Sequence, residues 1–357
     1  MTDRATIFIP DISGYTEFAS RTALDHSAHI VNELLDLIIE SDNLGLTVSE
    51  IEGDAVLFYR MGEPISPKAM LEECCAMFRN FHSRLGIIER DTICQCGACQ
   101  TASNLTLKFV VHYGAIKEIS VSRLKRAAGI DLIIAHRLLK NHIPSREYVL
   151  ATDGYRRASG MAEGDPRFAW QAGGEDYSGI GRVAFAYTTL DALRRDIPPP
   201  PKRENYVVAT ADDALEIEIR APILDVYQAM INVDALTAWQ KDLLRVTRDP
   251  VSERIGMRHD CFFPNLSLAI TTEHGRFEGP RAVVVEKVLC EELNVAWYDT
   301  TTLECVDDGA TRRVTSLRFA EDAILPPGFR PQALEVMKRS LEMFKSYCEA
   351  QPRLPAY

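Results

Sequence analysis

The sequence predicts an α+β protein of two domains, and three observations carry that reading. The first half alternates strand-like and helix-like runs. The second half opens on a strand of strict period two and closes on a long amphipathic helix. Between them, residues 197–205 (IPPPPKREN) place four prolines ahead of a charged run, which makes a stiff, extended spacer. The expected division is therefore residues 1–196, a linker at 197–205, and residues 206–357. A chain of 357 residues is long enough for two substantial cores. No internal repeat is visible.

Residues 5–9 (ATIFI) read as a strand. Residues 28–44 carry Ile30, Leu34, Leu37 and Ile38 at helical spacing. Residues 46–51 and 55–59 form a hairpin around Gly53-Asp54. Residues 67–88 are helical, with Met70, Leu71, Cys74, Met77, Phe78 and Phe81 on the apolar side. Residues 105–113 (LTLKFVVHY) alternate as a strand, 130–140 are helical, and 147–151 and 181–190 are strands. This βαββαβ order is the ferredoxin-like plan, with helices over one face of a mainly antiparallel sheet. In the second half, LEIEIR at 215–220 turns Leu215, Ile217 and Ile219 one way and Glu216, Glu218 and Arg220 the other. Helices follow at 223–231 and 234–244, then several strands. The closing helix at 331–350 has Leu334, Met337, Leu341, Phe344 and Cys348 as its stripe. A curved antiparallel sheet wrapped on one long helix satisfies that pattern.

Charge and composition narrow the function classes. Hydrophobic content of 46% and charged content of 25% are those of a globular protein. A net charge of −11 argues against nucleic acid or an anionic membrane as partner. The start, MTDRATIFIPDIS, lacks the basic residues and apolar core of a signal peptide, and no apolar run approaches the ~20 residues of a membrane helix. Nine cysteines without an export signal suggest reduced thiols, so the expected location is the cytoplasm.

The stretches 7–18 (IFIPDISGYTEF) and 49–59 (SEIEGDAVLFY) carry the chemistry. Each presents an aspartate beside glycine at a strand end, Asp11 and Asp54. Hard cations take oxygen ligands, and a glycine turn entering a helix offers backbone N–H groups to phosphate. The pair resembles the metal site of class III nucleotidyl (adenylyl/guanylyl) cyclases, over roughly residues 6–190. By that resemblance Asp11 and Asp54 hold Mg²⁺ or Mn²⁺, and Ser13, Gly14, Tyr15 and Thr16 cradle the phosphates of a nucleoside triphosphate. Glu50 stands at a base-reading position that is lysine in adenylyl and glutamate in guanylyl cyclases. A carboxylate accepts from guanine N1–H and the amino group; the other reading is a solvated strand carboxylate. Arg126 stands at the second base-reading position, where it would donate to guanine O6 and N7; surface charge is the alternative. In GIDLIIAHRL (129–138), Arg137 matches the arginine that stabilises charge on the phosphate. Ile133, one turn earlier, stands where the family has asparagine, and an aliphatic side chain cannot orient a ribose hydroxyl. The family mechanism implies a homodimer, with the aspartates from one protomer and the arginine helix from the other.

Cys94, Cys96 and Cys99, in ICQCGAC, put three thiols within six residues, the spacing that wraps Zn²⁺. The fourth ligand is absent from the stretch, with Cys74, Cys75 and His82 as candidates. A redox pair and free loop cysteines are the other readings. His259 and Cys261, two apart on one strand, are expected to serve packing. The second half resembles the START/polyketide-cyclase superfamily (SRPBCC, helix-grip) in element order, which implies an apolar small molecule between sheet and helix. The preferred reading is a ligand-responsive signalling protein with a diverged cyclase-like module that takes GTP. The rival is an inactive cyclase-fold dimer platform or nucleotide sensor.

Overall fold

The computed structural model describes residues 3–20, 24–121, 124–161, 168–203, 213–251, 253–319 and 324–351. Glu204 and Asn205, the end of the expected linker, lie outside them. The chain divides into two compact units, residues 1–90 with 101–201, and residues 91–100 with 202–357. Among the described residues no helix is long and apolar enough to cross a membrane.

The first unit runs β1 (Arg4–Ser13), α1 (Tyr15–Ser20), α2 (Leu24–Glu40), β2 (Thr47–Glu52), β3 (Ala55–Met61), α3 (Pro67–Asp91), α4 (Gly97–Thr101), β4 (Thr106–Ala115), β5 (Lys117–Val121), β6 (Leu124–Ala128), α5 (Ile130–Arg137), β7 (Tyr148–Thr152), α6 (Asp153–Ser159), β8 (Gln171–Tyr177), β9 (Gly181–Thr189) and α7 (Asp191–Arg195). Part of α4 and the end of α3 are grouped with the second unit. The main sheet has the order β2-β3-β1-β4-β7-β9-β8 and is antiparallel except for β4 against β7. The four strands β2-β3-β1-β4, from one edge of the sheet inward, thus keep the strand order of a split βαβ unit.

Strand β1 is the centre of this sheet and is buried along both faces after Arg4. Ala5, Ile7 and Ile9 join Leu57, Tyr59, Val110, Leu132, Ala135 and Leu150 in one core. On the other face the Phe8 ring stacks on Phe109, with centroids 5.7 Å apart, and meets Phe58 at 6.1 Å. Burial on both faces explains why the strand reads as a continuous apolar run. It extends past the expected residue 9 to Ser13 because Pro10 is accommodated. The ladder with β3 is interrupted between Phe8 and Asp11, where Pro10 has no N–H to give, while pairing with β4 continues throughout.

Two further features of the first unit escaped the sequence pattern. The β5–β6 hairpin forms a separate two-stranded sheet, and β8 adds an edge strand whose glycines gave no alternating signal. A buried polar chain fixes α5. His112 on β4 bonds Asp131 through Nε2 at 2.9 Å and Thr152 on β7 through Nδ1 at 2.7 Å, and Asp131 Oδ2 accepts from Ala115 N at 2.7 Å. The His112 bond holds the Asp131 carboxyl below its usual value, so it stays ionised.

The second unit contains β10 (Asp213–Ile219), α8 (Ile223–Ile231), α9 (Leu236–Trp239), β11 (Arg245–Arg248), β12 (Arg258–Phe262), β13 (Ser267–Glu278), β14 (Arg281–Cys290), β15 (Val295–Asp307), β16 (Ala310–Phe319) and α10 (Phe329–Ala350). Its seven strands are antiparallel in the order β10-β16-β15-β14-β13-β12-β11. Leu341, Phe344 and Cys348 are the buried part of the expected stripe of α10. Trp297 and Phe319 pack edge-on against Phe329 at its start. The helix expected over 234–244 is shorter: a 3₁₀ turn at Val233–Ala235 leads into α9, which ends at Trp239 when Gln240 leaves helical geometry at ψ 87°.

Gly114 is set by the α5 anchor. A Cβ there would fall 2.1 Å from Asp131 Cγ, so Gly114→Ala must displace the carboxylate that holds α5. The expected loss is about 2–3 kcal/mol, read as an earlier urea transition of the full chain; an unchanged midpoint would contradict the anchoring role.

Candidate functional site

Register brings the first site together. Asp11 lies opposite Ala55 on β3 and Lys108 on β4. Asp54 immediately precedes Ala55 in a two-residue hairpin loop, where Gly53 adopts φ 62°, a conformation that glycine takes without strain. The Asp54 carbonyl accepts from Ile12 N at 2.9 Å, which ties the loop to the end of β1. Both aspartates therefore occupy one end of adjacent strands. Lys108 Nζ stands 3.3 Å from Asp11 Oδ1 and donates to the Leu139 carbonyl at 3.1 Å. Burial pushes the Asp11 carboxyl up to about 6; the Lys108 ammonium opposes that rise and the Asp54 charge adds to it. Burial raises Asp54 as well. Two partly desolvated carboxylates share one lysine, an arrangement that accepts further positive charge.

These groups line a cleft of about 1700 Å³, whose wall includes every site residue expected from the stretches 7–18, 49–59 and 126–138. Asp11, Asp54, Ser13, Gly14, Tyr15, Thr16, Glu50, Arg126 and Arg137 all face it. Ser13 Oγ is buried with no hydrogen-bond partner. Gly14 O accepts from Phe18 N at 3.0 Å and so opens α1. A bulge at Ser49 resets the register of β2 ahead of Glu50, and Ser49 Oγ accepts from Ala127 N at 3.0 Å, fastening β6 beside it. That fastening brings Arg126 Nη2 to 3.3 Å from Glu50 Oε2, so the two expected base readers pair with each other. His136 adds contacts at 3.6 Å to Glu50 and 3.2 Å to Glu52. Arg137 donates to the Ser178 carbonyl at 2.9 Å, and its guanidinium lies 5.9 Å from the centre of the Tyr177 ring. Ile133, one turn earlier on α5, is 48% exposed on the same cleft wall.

Lys108, His136, Lys140 and Arg146 also line this cleft and were not singled out from the sequence. The available signal for Lys108 was its position as the one charge within an otherwise buried strand, LTLKFVVHY. The other three fall in or just after α5, where their side chains gave no periodic pattern.

The thiol cluster is also brought together. One sulfur from each of Cys94, Cys96 and Cys99 lies within 4.8 Å of the others, and Cys96 N donates to Cys94 Sγ at 3.4 Å. Segment 91–100 is clamped within the second unit. Arg203 grips Asp91 through two bonds of 2.6 and 2.9 Å, Tyr227 donates to the Ile93 carbonyl at 2.9 Å, and Ile93 N donates to the Glu253 carbonyl at 3.1 Å. Among the described residues the group closes at three. Of the candidates for a fourth ligand, Cys74 and Cys75 are buried on α3, and His82 Nε2 bonds Thr106 Oγ1 at 3.0 Å with burial pushing its pKa down to about 3.

The second unit encloses a cavity of about 600 Å³ between its sheet, α9 and α10. His259 and Cys261 both line it, rather than only packing strand against strand.

Residues 31–148 match a family model described as Protein of unknown function (DUF2652). The chain is 33% identical over 167 residues to Uncharacterized protein Rv2561/Rv2562 of Mycobacterium tuberculosis, a match covering 47% of this chain and 76% of that one. Among solved structures it is similar to the catalytic core of a rhodopsin-guanylyl cyclase with converted specificity, at 17% identity and a TM-score of 0.37, over 53% of this chain and 96% of that one. It is similar to the adenylyl cyclase CyaB of P. aeruginosa at 15% identity and 0.37, over 53% and 94%. It is also similar to the guanylyl cyclase domain of the RhoGC fusion protein of Blastocladiella emersonii at 15% and 0.35, over 52% and 96%. The chemistry of the site is read from its own residues.

Asp11 makes a stability test available. A carboxyl whose folded-state pKa stands at about 6, above the ordinary aspartate value of 3.8, binds its proton more tightly when folded. Ionising it therefore costs stability; the cost is absent below about pH 4 and complete above about pH 6. In chelator-treated protein, Asp11→Asn is expected to stabilise the fold by about 1–3 kcal/mol at pH 7.5, with the gain vanishing at pH 4. Thermal melts at the two pH values check this, and a destabilised variant at pH 7.5 would contradict it.

Proposed function

We propose, for a chain that belongs to the family of the Mycobacterium tuberculosis protein Rv2561/Rv2562, that the cleft at Asp11 and Asp54 binds a divalent cation with a nucleoside triphosphate, preferentially GTP. The observation that carries this reading is the convergence of two burial-raised carboxylates beside an unpartnered buried hydroxyl, Ser13 Oγ, in one open cleft. The donor set is all oxygen, which suits Mg²⁺ or Mn²⁺. Such an ion, when bound, would offset phosphate charge and favour attack by the ribose 3′-hydroxyl on the α-phosphate, the hydroxyl proton passing to solvent, the bond to the β-phosphate breaking and pyrophosphate leaving as the 3′,5′-cyclic nucleotide forms.

The chain's own residues would then do the following. Asp11 exchanges its contact with Lys108 for the ion, freeing the ammonium toward phosphate oxygens. Ser13 Oγ and the backbone of Gly14, Tyr15 and Thr16 donate to phosphate. Glu50 and Arg126 part from each other, Glu50 accepting from guanine N1–H and Arg126 donating to O6 and N7. Their pairing at 3.3 Å keeps both near neutral cost until a base separates them. Arg137 stabilises phosphate charge, by the class III cyclase resemblance from the second protomer of a homodimer. A second reading, a nucleotide sensor or dimer platform without turnover, is favoured by Ile133, an exposed aliphatic side chain where a ribose-orienting group is needed. In the second unit, the antiparallel sheet and α10 support a helix-grip reading, with an apolar small molecule in the cavity. The domain boundaries proposed remain 1–196, 197–205 and 206–357.

Calorimetry in Mn²⁺ tests the nucleotide reading. GTP is expected to bind about tenfold or more tightly than ATP, Glu50→Lys to erode the difference, and Asp11→Asn with Asp54→Asn to abolish metal-dependent binding. Equal affinity for the two nucleotides would remove the base-reading role.

For Cys94, Cys96 and Cys99 we propose a structural Zn²⁺ site with a fourth ligand from outside the group. Elemental analysis of protein purified under reducing conditions without chelator is expected to find about one equivalent of zinc; less than about half would contradict the site.

A further inference from the structure

The cavity of the second unit carries a polar patch in the middle of an apolar wall. Period two turns one face of β14, β15 and β16 inward, and that face should be apolar throughout. Instead it presents Glu286 from β14, Asp299 from β15 and Arg313 from β16, all lining the cavity. Glu286 and Asp299 are direct cross-strand partners. Like charges placed so destabilise a sheet unless something answers them. Leu268, Ile270, Val284, Leu317, Met337 and Phe344 supply the apolar surroundings.

The internal answer is partial: the Arg313 charge opposes the rise of both acids but does not close on either of them. Arg313 donates through Nε to Thr315 Oγ1 at 3.1 Å, and its guanidinium lies 4.5 Å from the centre of the Phe344 ring. Among the described residues it makes no ion pair within 4 Å of either acid. Asp299 Oδ1 accepts from Trp297 Nε1 at 3.0 Å, whereas no described hydrogen-bond donor reaches Glu286. Burial raises Glu286, and burial with Glu286 beside it pushes Asp299 up to about 7. Arg313, lowered by burial to about 10, stays charged at neutral pH. The three groups lie deep in the unit yet keep accessible surface, which is the cavity wall itself.

A second observation points independently to an occupant. His259, 4% exposed, lines the same cavity, and its Nδ1 has no hydrogen-bond partner among the described residues. Burial pushes its pKa down to about 4, so at neutral pH it supplies no cation and can accept from a donor. Polar groups held unsatisfied in an apolar enclosure each cost free energy, and natural proteins keep them where a ligand or function satisfies them. The volume of about 600 Å³ is that of a small-molecule site.

We infer that the cavity binds an amphiphilic amine, its hydrocarbon body against the apolar wall and its ammonium group donating to Glu286 and Asp299. This rests on the ligand-cavity reading of the second unit and adds the chemistry of the head group. Geometry decides the class. Glu286 and Asp299 stand directly opposite each other on the cavity wall and need a donor between them, which an ammonium supplies. A carboxylate head would bring a third anion into the same low-dielectric space, a far worse outcome.

The test titrates the full-length protein with dodecylammonium, dodecanol and dodecanoate below their micellar concentrations, by calorimetry. The amine is expected to bind about tenfold more tightly than the alcohol, and the carboxylate about tenfold or more weakly than the alcohol. Glu286→Gln is expected to lower amine affinity about tenfold while leaving dodecanol within about twofold, which also reports an intact cavity. Carboxylate binding as tight as the amine overturns the inference. So does a Glu286→Gln variant that loses amine and alcohol equally. Alcohol binding without amine preference overturns the head-group assignment alone. If none of the three binds, the ligand-cavity reading fails with it.

Discussion

The first site depends on one backbone constraint, the register of β1 against its two neighbours. The missing N–H of Pro10 interrupts the ladder to β3, yet the register is the same on both sides of the gap and pairing resumes at Asp11 opposite Ala55. The residue that resumes it is an aspartate, and the residue before its partner is Asp54. Continuous pairing on the other side fixes Lys108 opposite Asp11. Three charges are thereby gathered at one strand end by register alone. The hydrophobic core on both faces of β1 holds that register, since a one-residue slip would turn Phe8 and Ile9 to the wrong sides. The resulting desolvation of Asp11 is a local cost in stability, which fits a group kept for binding.

Much of this was legible in the sequence. The strand–helix order, the hairpin at Gly53-Asp54 and the closing helix follow from period and turn chemistry, and the motif residues Asp11, Asp54, Ser13, Glu50, Arg126 and Arg137 do face one cleft. What escaped was set by tertiary contacts. The Glu50–Arg126 pair arises from a bulge at Ser49 and from the β5–β6 hairpin, neither of which has a local signature. Lys108 acquires its role only through its cross-strand partner. Helix α9 stops at Trp239, where the sequence pattern continued to 244, because the chain turns into β11 instead.

The two units handle buried charge in parallel ways. In the first, two acids and a lysine stand in a cleft; in the second, two acids and an arginine stand in a mainly apolar cavity. In each the acids are raised by desolvation and the basic group is drawn partly away, Lys108 to the Leu139 carbonyl and Arg313 to Thr315 and Phe344. Such frustration within otherwise consistent β-sheet patterning is the physical ground for proposing that both sites bind ligands. The linings separate the two sites: the cleft is walled largely by charged and polar side chains, the cavity of the second unit mainly by apolar ones.

The shared-cation claim for Asp11 and Asp54 is tested most directly by anomalous diffraction from crystals grown with Mn²⁺ and a non-hydrolysable GTP analogue. The account requires a manganese peak bridged by both carboxylates, with Lys108 moved off Asp11 toward phosphate. A peak elsewhere in the cleft, with the Lys108–Asp11 pair intact, would contradict it.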